Sequence, residues 1–304
     1  MVHQVKYSVV VPAYNRGEFL HKLLDSVFKQ TYQNFELIIV DDGSTDNTRD
    51  LIKSNQDART KYIYQDNGGG SKARNTGIDA AQGYYIAFLD SDDAFMPNHL
   101  ENALTVLESG DNLCTYTQVI VDRGDGVTFL KPPRALNPNE PISDYLMRDR
   151  GFIQTSTLIV PAELAKKVKF NEEISFGQDT DFAIRLASAG AEFRMLPEPG
   201  AIWNDEWNQN RLSSKRKHEQ RILWLNKIKP MITKKAYWAD MGWHVAKGFA
   251  QHGELFKALN LYLNAVVRGS YRLKMAIVVF LQVVLSANAY RKLADSLARF
   301  GVAP

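Results

Sequence analysis

Asp90-Ser91-Asp92-Asp93 places three carboxyl groups within four residues, directly after the apolar run Tyr84-Tyr-Ile-Ala-Phe-Leu89. Carboxylates this close repel one another, and a divalent cation or a set of donors must offset that repulsion. In extended chain, Asp90 and Asp92 point to the same side. Together they suit a hard metal ion whose remaining positions grip a ligand's phosphates. Solvated loop acids or helix caps give the same Asp-x-Asp pattern by chance, but placement at the end of an apolar run favours the metal reading.

Two further clusters suit the other parts of a nucleotide. Pro12-Ala13-Tyr14-Asn15 closes the run that begins at Tyr7, and Asp41-Asp42 follows Phe35-Glu-Leu-Ile-Ile-Val40. A Tyr14 ring stacked on a base, with an Asp42 carboxylate accepting from a base N–H, would make a nucleoside pocket. Taken singly, Tyr14 also reads as a packing residue and Asp42 as a turn acid. Gly68-Gly69-Gly70 then leads into Ser71-Lys72-Ala73-Arg74-Asn75. Backbone N–H groups and two cations at a helix start suit a diphosphate. The competing reading is a flexible loop capped by Ser71.

The elements that must hold these groups follow from periodicity. From Tyr7 to about Leu107, short apolar runs alternate with helix-period segments, which predicts an α/β fold with a doubly wound, mostly parallel sheet buried on both faces. Asn15 is expected to cap a helix through about Lys29, with Phe19, Leu20, Leu23, Leu24, Val27 and Phe28 on its apolar stripe. Ser44 or Thr45 is expected to cap the next helix. Each polar cluster thus lies just past a strand's carboxyl end, where open α/β sheets bind ligands. Further on, the pattern predicts a strand near Thr155–Val160 and a helix from about Asp179 to Ala189, ended by Gly190. Residues 242–270 read as a helical hairpin turning near Gly253.

The 304 residues are 45% hydrophobic and 23% charged, enough for one large domain or a domain with an appendage. Cys114 is the only cysteine, so an intrachain disulfide, a Cys-based zinc site and a Cys-x-x-Cys redox motif are excluded, and a reducing compartment fits. The first fifteen residues lack a signal peptide's pattern, and the expected location is cytoplasmic. A net charge of +3 conceals a division: residues 211–304 hold 17 Lys and Arg against four Asp and Glu, while residues 1–210 carry ten more acids than bases. Such a tail is expected to meet an anionic membrane surface, on the inner face of the plasma membrane, or to be a solvated helical face. Arg272 and Lys274 precede the apolar run Met275–Leu285, and Arg291 and Lys292 follow it, so Ile277, Phe280, Leu281 and Val284 would enter lipid. The competing readings are core packing against the hairpin and a homodimer contact.

The segments Val9-Val-Val-Pro-Ala-Tyr-Asn15, Phe35-Glu-Leu-Ile-Ile-Val-Asp-Asp-Gly-Ser-Thr-Asp46, Ala73-Arg-Asn-Thr-Gly77, Gly83-Tyr-Tyr-Ile-Ala-Phe-Leu-Asp-Ser-Asp-Asp93 and Gln178-Asp179 strongly resemble glycosyltransferase family 2, in order and spacing, over about residues 5–215. The resemblance implies a GT-A fold with a catalytic domain at 1–215, its nucleotide-sugar part at 1–110 and its acceptor side at 111–215, followed by a basic C-terminal helical extension at 216–304. It implies a nucleotide-diphospho-sugar donor, with a UDP-sugar expected, and inversion at the anomeric carbon. Pro12, Ala13, Tyr14, Asn15, Asp42, Gly70, Lys72, Arg74, Asp90 and Ser91 are the expected nucleotide contacts. Asp92 and Asp90 are the expected ligands of Mn2+ or Mg2+.

Asp179 matches the family's catalytic base, which usually follows a Glu; here Gln178 stands in its place, and Asp181 is the fallback. A helix N-terminus would lower the Asp179 pKa and keep it ionised. The expected acceptor is a saccharide, lipid-linked as in bacterial surface polysaccharide assembly, with polyisoprenyl phosphate as the alternative. A nucleotidyltransferase and a non-catalytic sugar-nucleotide or polysaccharide adaptor remain as other readings. A Rossmann dehydrogenase is excluded because no G-x-G-x-x-G follows the first strand, and nucleic-acid binding is not expected because the basic tail carries no recognised motif.

Overall fold

The computed structural model describes residues 5–124, 126–205 and 218–299; residues 211–217 of the expected basic tail lie outside that set. The chain forms two compact units, Met1–Arg123 with Ile153–Glu206, and Gly124–Phe152 with Trp207–Pro304.

In the first unit, β1 (Tyr7–Ala13), α1 (Gly17–Phe28), β2 (Phe35–Asp41), α2 (Thr48–Ser54), β3 (Thr60–Tyr64), α3 (Gly70–Ala80) and β4 (Tyr85–Phe88) alternate as their apolar period predicts. Then come β5 (Ala94–Phe95), α4 (His99–Leu107), β6 (Leu113–Tyr116) and β7 (Val119–Asp122). The second unit contributes β8 (Thr128–Lys131) and α5 (Ile142–Arg148) before the first resumes with β9 (Ile159–Pro161), α6 (Ala162–Val168), α7 (Gln178–Ser188), β10 (Glu192–Met195) and β11 (Ala201–Asn204). The expected strand near Thr155–Val160 is shorter, because a 3-10 turn occupies Thr155–Thr157.

The main sheet runs β10-β6-β9-β4-β1-β2-β3. It is parallel at β1–β2, β2–β3, β1–β4 and β6–β10, and antiparallel only where β9 pairs with β4 and β6. Val9, Val10, Val11, Leu37, Ile38, Ile39 and Val40 have no exposed surface, as continuous apolar runs require when helices cover both faces. The chain winds outward from β1 through β2 to β3, then returns to the other side of β1 for β4. That reversal makes the carboxyl ends of β1 and β4 the switch point where such sheets bind ligands. A smaller group of strands in this unit sets β11 antiparallel to β5 and parallel to β7. Cys114 is buried in β6, and burial pushes its thiol pKa up to about 12.

Helix starts correct the expected caps. Asn15 has φ 52 and turns away from α1, its Oδ1 accepting instead from the Thr45 backbone N–H at 2.8 Å. Asp46 serves both helices: Oδ2 accepts from Gly17 N–H at 3.1 Å at the start of α1, and Oδ1 from Thr48 N–H at 3.0 Å at the start of α2. Neither Ser44 nor Thr45 caps α2, because Ser44 Oγ accepts from Asn15 N–H.

The second unit continues with α8 (His218–Ile228), α9 (Lys234–Asp240), a π-helical turn at Met241–Val245, α10 (Ala246–Gln251), α11 (Leu255–Val267), α12 (Leu273–Val284) and α13 (Ala287–Arg299). A bidentate ion pair from Arg221 to the buried Asp240, at 2.6 and 2.7 Å, ties α8 to α9. The hairpin turns at Gly253, φ 83, as the sequence suggests. Ala246, Ala258, Met275, Val279 and Val283 form a buried cluster, so one face of α12 packs on the hairpin. Ile277, Phe280 and Val284 stay exposed. No helix among the described residues is long and apolar enough to cross a membrane.

Helix α3 packs closely on β1. A Cβ on Gly77 would lie 2.3 Å from Val10 Cγ1. Gly77→Ala should therefore lower stability by roughly 1–3 kcal/mol in urea unfolding, although Ala is the better helix former. Adding Val10→Ala to it should cost less than the two single losses together; strict additivity would mean that the contact does not set the packing.

Candidate active site

Tyr14 caps the end of β1 with 47% of its surface exposed, so its ring is free to stack on a planar ligand. Its neighbours are fixed from below: Ala13 C=O accepts from Asp42 N–H at 2.8 Å, and Asn15 is held by the loop after β2. Asp42 is buried and already engaged. Its Oδ1 accepts from Gln65 Nε2 at 2.6 Å and Gly68 N–H at 2.9 Å, and its Oδ2 from Gly69 N–H at 2.7 Å. Asp42 therefore shapes the glycine loop before it meets any base. Gly69 adopts φ 87, open to glycine at little cost, and Gly70 begins α3. Lys72 is exposed at this helix start, and Arg74 is buried on the next turn.

Arg74 joins the clusters. Its Nη2 donates to Asp90 Oδ1 at 2.5 Å and its Nη1 to Gln178 Oε1 at 2.9 Å, while the Phe170 ring lies 5.3 Å beneath the guanidinium. Arg74 Nε is buried and has no hydrogen-bond partner among the described residues. One side chain of α3 thus links the loop after β4 to the start of α7.

The acidic loop is clamped by groups that its own sequence does not announce. Asp93 is buried, its Oδ2 accepting from Ser156 Oγ at 2.6 Å and Gln154 Nε2 at 2.7 Å, and its Oδ1 from Asn204 N–H at 3.2 Å. Burial first, then Asp90 and Asp92, raises the Asp93 pKa well above the usual carboxylate value. Ser156 Oγ also accepts from Asp90 N–H at 2.9 Å. The buried Ser91 completes the loop. Asp90 and Asp92 keep 27% and 32% of their side-chain surface exposed, with Arg16 Nη2 3.9 Å from Asp92 Oδ2. Two accessible hard-oxygen groups fit Mg2+ or Mn2+, which bind through one or two carboxylates together with substrate phosphates and water. No three His, Cys, Asp or Glu side chains form a metal-holding group among the described residues.

Asp179 lies in the first turn of α7, beside Gln178. Its pKa is raised rather than lowered: burial outweighs the Thr180 N–H that its Oδ1 receives at 2.8 Å, and Asp90 raises it further while Arg74 opposes the shift. Position at a helix start therefore does not set the Asp179 pKa; desolvation of the carboxyl, which the sequence does not show, outweighs it. Asp181 faces elsewhere. Wholly buried, it accepts from Arg185 Nε at 2.7 Å, and Arg185 Nη1 donates on to Val168 and Lys169 carbonyls. Asn75 ties α3 to the segment between α6 and α7: it exchanges hydrogen bonds with the Phe170 backbone at 2.7 and 3.0 Å and donates to Glu172 at 2.7 Å.

The model of the glycosyl transferase family 2 matches residues 8–172. The chain belongs to that family. This glycosyltransferase is 31% identical to the amylovoran biosynthesis glycosyltransferase AmsB of Erwinia amylovora, over 84% of this chain and 88% of that one. Among solved structures, S. aureus TarS 1–349 in complex with UDP-GlcNAc is similar with a TM-score of 0.67 at 21% identity, over 98% of this chain and 92% of that one. The mannosyltransferase PcManGT from Pyrobaculum calidifontis, in complex with GDP-Man and Mn2+, gives 0.58 at 17% identity, over 98% and 85%. At these identities the likeness to the solved structures is one of fold, and it agrees with the GT-A class and the C-terminal helical region expected from the sequence.

The Asp42 bonds can be read directly. Asp42→Asn removes a charged acceptor, and hydrogen bonds to charged groups contribute about 1.5–3 kcal/mol. Hydrogen exchange at the Gly68 and Gly69 amides should accelerate by about tenfold or more in this variant. Unchanged exchange would assign the order of the loop to some other group.

Proposed function

We propose that this glycosyltransferase moves a sugar from a nucleotide diphosphate, with a UDP-sugar as donor, to a saccharide acceptor with inversion, in polysaccharide assembly at a bacterial surface. The observation that carries the reading is the bridge from Arg74 to Asp90 and Gln178, which gathers a phosphate-binding helix start, an acidic loop and the Asp179 turn around one guanidinium. The biosynthetic role named for AmsB and the UDP-GlcNAc in TarS support a saccharide product and a uridine donor. In this reading, residues 1–215 form the catalytic domain and residues 216–304 a basic helical region. The acceptor is lipid-linked, and the enzyme works on the cytoplasmic side of the plasma membrane.

Tyr14 stacks on the base, with Pro12, Ala13, Asn15 and Asp42 framing it, while Gly70, Lys72, Arg74 and Ser91 face the phosphates. Asp90 and Asp92 would hold a divalent cation, which supplies charge neutralisation to the departing diphosphate. Arg74 and the N–H groups at the start of α3 add donors where that charge grows. Asp179 Oδ takes the proton from the acceptor hydroxyl as its oxygen attacks the anomeric carbon from the face opposite the diphosphate. A raised pKa suits a base that must accept a proton near neutrality. Asp181 is occupied by Arg185 and has no part in this step.

Asp179→Asn should lower kcat by about 100-fold or more, in keeping with the 10²–10⁴ typical of general bases, while UDP affinity measured by calorimetry with MnCl2 stays within about twofold. Retained turnover would remove Asp179 from the reaction. The product's anomeric coupling in NMR should show inversion, and UDP affinity should drop when a chelator replaces the metal.

The base must be ionised, and burial holds its pKa above 3.8. Accordingly, kcat/KM should rise with pH through an ionisation above that value. Gln178→Glu would neutralise Arg74 and add a like charge, both of which raise the Asp179 pKa. Its acidic limb should move to higher pH; a shift downward would contradict the proximity argument.

A further inference from the structure

The outward sides of α11 and α12 carry large exposed apolar side chains. On α12, Met275, Val279 and Val283 are buried at the i, i+4, i+8 spacing of one helix face, whereas Leu273, Ile277, Phe280 and Val284 recur at i, i+4, i+7, i+11 on the opposite face. Leu273 is 79% exposed and Ile277 54%. On α11, Ala258 and Ala265 are buried, whereas Phe256, Leu263 and Val267 recur at i, i+7, i+11 opposite them, with Phe256 94% and Val267 83% exposed. The two helices are neighbours: the Tyr262 and Phe280 rings lie 5.6 Å apart, and Tyr262 OH donates to Ala276 C=O at 3.1 Å. A soluble helix with one buried stripe normally keeps its opposite face polar, and contiguous apolar surface of this kind marks an interaction site.

Charge selects the occupant. Residues 255–299 carry seven Lys and Arg against a single Asp, with Arg268, Arg272 and Lys274 at the turn between the two helices. A second copy would set this positive surplus against itself, whereas anionic headgroups complement it while the apolar stripes enter the acyl boundary. We propose that the outward faces of α11 and α12 dock this glycosyltransferase on an anionic lipid bilayer, an inference whose biological purpose rests on the lipid-linked acceptor proposed above. Docking confines the enzyme to the surface where such an acceptor is presented.

The test is flotation of the full chain with vesicles of phosphatidylcholine containing about one third phosphatidylglycerol, alongside vesicles of phosphatidylcholine alone. The wild type should rise with the anionic vesicles at low ionic strength, less at high ionic strength, and poorly with the neutral ones. Phe256→Glu and Ile277→Glu, each at an exposed position and each checked for an unchanged thermal melt, should lower the partition coefficient by at least tenfold. UDP binding in the presence of MnCl2 should be unaffected in both variants, so a failure of docking is separable from a failure of the nucleotide reading. Absence of flotation, or equal flotation of both variants and the wild type, overturns the proposal. Sedimentation velocity showing a wild-type dimer that either substitution dissociates, without binding to anionic vesicles, would instead give the surface to a second copy and overturn it as well.

Discussion

The planar guanidinium of Arg74 fixes the directions in which it can donate, and two separate elements supply acceptors to its terminal nitrogens. One N–H reaches the carboxylate after β4 and another the amide at the start of α7, two segments 88 residues apart in the chain. The aromatic ring of Phe170 supports the flat face, and the position of that ring is itself held by Asn75, one residue after Arg74. The neutral Gln178 alters the electrostatics more than the geometry. A Glu at this place would form a second ion pair and spend the positive charge locally; with a Gln, Arg74 retains part of its field for an incoming diphosphate, and Asp179 is spared a like-charged neighbour.

Local chemistry was legible from the sequence where it followed from period and position. The apolar runs ending at Ala13, Asp41 and Phe88 announce parallel strands, and the polar residues after them announce a ligand edge, because strand ends in such a sheet share one side. Partners that belong to distant loops carried no local signal: Ser156 and Gln154 hold Asp93 across more than sixty residues. The third aspartate of the cluster was visible, yet its burial was not, so its structural part beside the accessible Asp90 and Asp92 could not be told apart. Asn15 departs from the expected cap for a conformational reason. A left-handed residue directs its side chain away from the helix that follows, and Asp46, in the loop after β2, takes over the cap.

The second unit obeys a different rule. Its helices bury small residues, Ala246, Ala258 and Ala265, so backbones approach closely, as at Gly242, where an added Cβ would meet Ala265 Cβ at 2.5 Å. On α11 such packing buries Ala258 and Ala265 and leaves the larger Phe256, Leu263 and Val267 on the outside, while α12 buries Met275, Val279 and Val283. Charges that must be buried there are matched, as Arg221 and Asp240 are by two parallel hydrogen bonds, since breaking such a pair would strand an uncompensated ion.

Cys114 has a practical corollary. The thiolate is the reactive form of cysteine, and a thiol wholly enclosed in β6, with its ionisation pushed to about pH 12, presents almost none of it to solvent at neutral pH. The natural chain is therefore close to inert toward maleimides and disulfide reagents while folded. A cysteine introduced anywhere on its surface becomes a unique chemical address, so fluorescent or spin labels can report on Tyr14 or on Phe256 one at a time, without first removing a native thiol from the core.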